Sequence, residues 1–196
     1  MRGKDTKERI VEEAVAWGAQ CICLSGLITP SLDEMARVCE ELERRGLRIP
    51  VIIGAVSTNV DVTLEVAKHA ASIGADGVMI LPPPGLHPSQ DAIYAFYKHI
   101  SENVTLPVMI YNNPGSSGVN ILPETLDKIA DLPHMGFLKE STGDIMRLTR
   151  AVDELGERMR VEYLTNAFPK FLESHGLRRM RFHDLRHSCA SLLLAN

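Results

Sequence analysis

Apolar residues in this chain fall into short unbroken runs separated by longer stretches of helical spacing. The runs are Cys21–Leu24, Pro50–Ile53, Val78–Leu81, Val108–Tyr111 and Gly136–Lys139. Between them, Val62–Ile73, Gln90–Asn103, Pro123–Ala130 and Gly143–Glu154 place apolar side chains three and four apart, as one helix face requires. Residues 5–18 read as an amphipathic helix with Ile10, Val11, Ala14, Val15 and Trp17 on its apolar side. The next helix carries a start signal, Ser31 as N-cap with Glu34 three residues on, and runs to a stop near Gly46.

Equivalent points in the runs are Leu24, Ile53, Ile80, Ile110 and Leu138, spaced by 29, 27, 30 and 28 residues. Strand and helix alternating at that period predict consecutive βαβ units and a parallel sheet. The runs are apolar throughout, which predicts strands covered on both faces. Five strands are expected, near 21–25, 50–54, 78–82, 107–111 and 136–139, with a sixth near 160–164. Beyond residue 160 the rhythm fails and the sequence reads as two helices broken at Gly176.

Composition narrows the function classes. The 196 residues are 45% hydrophobic and 23% charged, which argues against wholesale disorder. Aromatics are only 5%, too few for a base-stacking platform. No apolar run reaches the roughly 18 residues of a membrane span, and the first residues lack a signal peptide's apolar segment. The chain is therefore read as cytoplasmic, without a membrane partner and with reduced cysteines. The net charge of −4 hides an asymmetry, because residues 161–196 carry +2. Such an excess reads as a solvated face, with nucleic-acid contact as the alternative.

The residues with the strongest chemical promise stand at strand ends. Tyr111 ends one apolar run and Lys139 ends the next. An amine there is costly unless it has a role or a partner, and desolvation favours the neutral form a Schiff-base nucleophile needs. A tyrosine at the same level of the adjacent strand could relay protons to the adduct. The alternative is a pair of strand-end side chains that simply reach solvent. Cys21, Cys23 and Cys39 are expected as buried structural thiols, not a metal site. No metal site, P-loop or Gly-x-Gly-x-x-Gly pattern is found.

The stretch Tyr111-Asn112-Asn113-Pro114-Gly115, followed by Lys139-Glu140-Ser141-Thr142-Gly143-Asp144, resembles the dihydrodipicolinate synthase / N-acetylneuraminate lyase family over about residues 58–161. The resemblance implies a TIM-barrel-like class I aldolase acting on a small 2-oxo acid such as pyruvate. It makes Lys139 the imine-forming lysine and Tyr111 the proton relay, with no cofactor beyond the covalent imine. The sequence departs from the family at a missing Gly-Thr-Thr-Gly-Glu loop, at Leu81-Pro82-Pro83-Pro84-Gly85, and at Ser116-Ser117 where the synthases place an arginine. An eight-fold barrel typically needs about 250 residues. The expected fold is therefore α/β: repeated βα units in a partial barrel or open parallel sheet, plus a helical tail. Exposed sheet edges would favour a homo-oligomer, and turnover would be little or none.

Two other stretches carry resemblances of their own. Leu24-Ser25-Gly26-Leu27-Ile28-Thr29-Pro30 and Ile49–Gly54 resemble the cobalamin-binding domain of methionine synthase over about residues 4–55. That implies Ser25 and Thr29 as hydroxyls near a cobalamin tail. Arg181–Ser191 resembles the His-x-x-Arg box of phage-type tyrosine recombinases, with the similarity running from about residue 163. That implies Arg186 and His183 at a DNA phosphate, although the family's nucleophilic tyrosine is lacking and DNA is not the favoured partner. Three partial resemblances in series read as a composite chain with segments 1–56, 57–162 and 163–196. A remnant aldolase leads these readings, with a DNA-contact module and a cobalamin-binding remnant as alternatives.

Overall fold

The computed structural model describes residues 6–25, 30–155 and 158–162. The expected tail helices, with His183 and Arg186, lie outside the described residues, as does Thr29. The chain alternates α1 (Thr6–Ala16), β1 (Ile22–Ser25), α2 (Pro30–Arg44), β2 (Val51–Gly54), α3 (Val60–Ser72), β3 (Gly77–Ile80) and α4 (Gln90–Asn103). It continues with β4 (Val108–Asn112), the single turn α5 (Pro114–Ser117), α6 (Pro123–Ala130), β5 (Phe137–Glu140), α7 (Ile145–Leu155) and β6 (Arg160–Glu162). The strands lie in one sheet in sequence order, β1 to β6. The pairs from β1 to β5 are all parallel. Among the described residues the sheet is open, with β1 at one edge and β6 at the other, as the strand count requires. Among the described residues no helix is long and apolar enough to cross a membrane.

The helix boundaries follow from local chemistry. Asn59 caps α3 by accepting from the Asp61 amide at 2.8 Å. Ser89 caps α4 by accepting from the Ala92 amide at 3.3 Å. Asp144 does the same for α7, accepting from Met146 and Arg147 amides at 3.0 and 3.1 Å. One expected cap is corrected: α2 begins at Pro30, so Ser31 lies inside the first turn. Proline's fixed φ and missing N–H suit that first position. The apolar side of α1 is also narrower than expected. Val11 and Ala14 are buried, but Val15 and Trp17 are exposed, and Trp17 donates to Glu13 at 3.0 Å.

Side chains alternate across the sheet, and the two faces have different fates. Val51, Ile53, Val78, Ile80, Val108, Ile110 and Leu138 point to one face and join the helices in a single core. Adjacent helices pack on one another in the order α1, α2, α3, α4, α6, α7. The opposite face carries Cys23, Ser25, Ile52, Met79, Met109, Tyr111, Phe137 and Lys139, and none of these belongs to that core. Ile52, Met79, Phe137 and Lys139 are half-buried there, while Cys23 and Ser25 are exposed. The expectation of strands covered on both faces holds for β4, where Met109 and Tyr111 are buried too, and is corrected for β1, where Cys23 and Ser25 are exposed. Crossovers of one hand put successive helices on the same side, and the described helices, the single turn α5 aside, all join the core on that side. The thiols are corrected for the same reason. Cys21 and Cys23 are exposed at the edge strand, and only Cys39 is partly buried, which pushes its thiol pKa up.

Candidate active site

Tyr111 and Lys139 are direct register partners on β4 and β5, so both side chains rise from the half-open face at the C-terminal ends of their strands. The Lys139 amine Nζ lies 4.1 Å from the centroid of the Tyr111 ring, over its face. It also approaches the Met79 sulfur at 3.7 Å from β3. An ammonium over an aromatic face is attracted by the ring's negative quadrupole, worth about 0.5–2 kcal/mol. The tyrosine is buried and the lysine half-buried. The phenol oxygen of Tyr111 accepts from the Asn113 amide nitrogen at 2.7 Å.

One residue further along each strand, the side chains turn to the core face and build the support. Asn112 is fully buried, and its amide nitrogen donates to Glu140 at 3.1 and 3.0 Å and to Asn120 at 2.9 Å. Its carbonyl oxygen accepts from the Ile121 amide at 3.0 Å. Glu140 also accepts from the Thr142 amide at 2.9 Å and from Arg147 Nε at 2.9 Å. The Glu140 and Arg147 side chains are only 3% and 10% exposed. Arg147 donates a further bond to the Ile121 carbonyl. A buried carboxylate is tolerable when it is paired and its oxygens are bonded in this way. Gly143 adopts φ +80° in the intervening turn, a conformation that strongly favours glycine. Lys-Glu-x-Thr-Gly-Asp is thus one device: the lysine faces the open side, the glutamate anchors the rim, the glycine turns the chain and the aspartate caps α7.

The loop after β4 is fixed as firmly. Ser117 is fully buried and its hydroxyl serves the Asn113 and Val119 carbonyls at 3.0 and 2.9 Å. From α4, Gln90 donates to the Asn120 carbonyl at 2.9 Å and accepts from Leu122 and Thr125 at 2.9 and 2.8 Å. Tyr97, fully buried on the same helix, donates to the Ile80 carbonyl at 2.9 Å, at the end of β3.

Of the sequence-derived candidates, Tyr111 and Lys139 are brought together. Ser25 lies on the same face but at the far edge strand, three strands from Tyr111, opposite Gly54. Asn113, Asn112, Glu140, Arg147 and Gln90 join the site through contacts that the sequence pattern does not display. Only the polarity of Asn112 and Glu140 beside two apolar strand ends could have signalled them. Among the described residues no group of histidine, cysteine, aspartate and glutamate could hold a metal ion.

Comparison with known proteins agrees with this architecture. The model of the dihydrodipicolinate synthetase family matches residues 9–162, a span that takes in residues 9–56 as well as the stretch with both motifs. The 4-hydroxy-tetrahydrodipicolinate synthase of Thermotoga neapolitana is 40% identical over 151 residues, covering 74% of this chain and 51% of its own length. The crystal structure of dihydrodipicolinate synthase from Thermotoga maritima matches with a TM-score of 0.75 and 30% identity, covering 88% of this chain and 61% of that one. The chloride-inhibited dihydrodipicolinate synthase from Acinetobacter baumannii, complexed with pyruvate, matches with a TM-score of 0.72 and 30% identity, covering 80% and 55%. The chain spans about half the length of the curated relatives it matches.

Proposed function

Because the chain belongs to the dihydrodipicolinate synthetase family, we propose that Lys139 forms an imine with the ketone of a small 2-oxo acid such as pyruvate, and that Tyr111 relays the protons. The observation that carries this reading is the register pairing that sets the Lys139 amine 4.1 Å from the centre of the Tyr111 ring. Family enzymes form a Schiff base with substrate and need no cofactor.

In the first step the neutral amine attacks the carbonyl carbon. A C–N bond forms, the carbonyl oxygen gains a proton, and the nitrogen loses one. Loss of the new hydroxyl as water then gives the imine. Each proton movement needs a donor and an acceptor near nitrogen and oxygen, which is the role of the Tyr111 hydroxyl. The imine draws electrons from the adjacent carbon, so that carbon can lose a proton and attack an aldehyde.

The half-open face sets the rate. Lys139 is half-buried, so water reaches the amine, and among the described residues no helix layer encloses the reacting carbon. Positioning of a second reactant therefore contributes little of the large advantage an enclosed site supplies. Imine formation is slow and aldol turnover is very small. Incubation with pyruvate and borohydride, followed by peptide mass analysis, tests the reading. A reduced adduct on Lys139 that disappears in Lys139→Ala is expected. Modification spread over surface lysines, unchanged in Lys139→Ala, would overturn it.

A further inference from the structure

We propose that Asn113 is a positioning residue for the Tyr111 phenol, holding its oxygen as an acceptor and keeping its proton for a group bound on the open face. This inference rests on the Schiff-base reading above. Asn113 immediately precedes α5, a place where an asparagine ordinarily accepts from the first amides of the helix. Its side chain makes no such bond. Its amide nitrogen instead donates to the Tyr111 hydroxyl at 2.7 Å and to the Ser116 hydroxyl at 2.9 Å. Both amide hydrogens thus have acceptors, and the side chain is held from two sides. Its backbone carbonyl is held as well, accepting from the Ser116 and Ser117 amides at 3.0 and 2.9 Å.

A phenol has one proton and acceptor capacity on its oxygen. A donor placed on that oxygen cannot also receive the phenol's proton. Among the described residues Tyr111 donates to no protein acceptor, so none of them takes its proton. The adjacent Asn112 cannot serve the phenol, because alternation sends its side chain to the core face and into the Glu140 network. Asn113 therefore gives Tyr111 a defined polarity: acceptor toward the loop, donor toward the face where Lys139 stands.

Two measurements on the full chain test this, with Asn113→Leu removing the donor and Asn113→Asp retaining its size while supplying only acceptors. The first is carbon-13 NMR of the chain labelled at tyrosine Cζ, with the Tyr111 signal assigned by its loss in Tyr111→Phe. The second is the rate of pyruvate trapping by borohydride as a function of pyruvate concentration. The Tyr111 signal is expected to move in both variants, the maximal trapping rate to fall about tenfold in both, and half-saturation to stay unchanged. A Tyr111 signal unmoved in both variants would overturn the proposal. So would a full trapping rate in Asn113→Asp, or a loss seen only as weaker pyruvate binding. Absence of trapping in the unsubstituted chain, with a Tyr111 signal that still moves, would remove the Schiff-base reading and leave the positioning contact standing.

Discussion

Lys139 and Tyr111 face each other because β4 and β5 pair in parallel with those two residues in register, and the amine settles 4.1 Å from the ring centre. The ring and the hydroxyl of Tyr111 thus have separable tasks. The ring seats the amine, and the hydroxyl moves protons. Tyr111→Phe keeps the ring and should lower the pyruvate-trapping rate about a hundredfold with little change in stability. Tyr111→Ala removes both, should trap more slowly still, and should cost about 3 kcal/mol in urea unfolding. Equal trapping by the two variants would show that the ring does not place the amine.

The Glu140–Arg147 pair should be the most sensitive point of the rim. Arg147→Met leaves a buried carboxylate with only neutral donors, Asn112 and the Thr142 amide. Breaking one side of a buried pair costs about 3–5 kcal/mol. Urea unfolding of Arg147→Met should show a loss of that order, and Glu140→Gln in the same background should recover part of it. No recovery would mean that the arginine acts through packing alone.

Tyr97 offers a smaller and cleaner effect. Burial pushes its phenol pKa well above the ordinary value, and its hydroxyl bonds the Ile80 carbonyl. Tyr97→Phe keeps the ring but leaves that carbonyl short of a donor, at about 1–2 kcal/mol. Thermal unfolding should shift down accordingly. In the unsubstituted chain Tyr97 should remain protonated in alkaline titrations until the fold is lost.

Acid stability should report on α2. The Arg44 side chain, bonding at 2.8 and 2.6 Å, and then Arg45 hold the Glu41 carboxyl down to about 2 from its ordinary 4.5. A carboxyl depressed by folding stabilises the folded chain above its unfolded value, and that contribution is lost as pH falls through the folded value. The urea midpoint should therefore decline between about pH 4.5 and 2, and Glu41→Gln should flatten that decline. An identical pH profile in the two proteins would show that other groups set it.

The order and type of the elements were legible in the sequence because local chemistry sets them. Apolar runs recurring at 27 to 30 residues placed all five paired strands within a residue or two. Helix α4 was placed at its observed bounds, 90–103, and α6 at 123–130. Tyr111 and Lys139 were legible as a pair because consecutive parallel strands keep equivalent ends on one rim. What the periodicity could not decide was which face of each strand the helices would cover. Apolar runs look the same whether one face or both are sealed, so the sealed β4 and the exposed Cys21 and Cys23 beside β1 emerged only with the packed sheet. The supporting network was hidden for a different reason. Asn112 and Glu140 are 28 residues apart, and Gln90 reaches an acceptor 30 residues away. No local pattern encodes such bonds, since they exist only once the sheet has brought its strand ends together. Asn113 stands nearest to legibility, two residues from Tyr111. Its position before a helical turn favours the cap, and only the folded loop turns its side chain to the phenol instead.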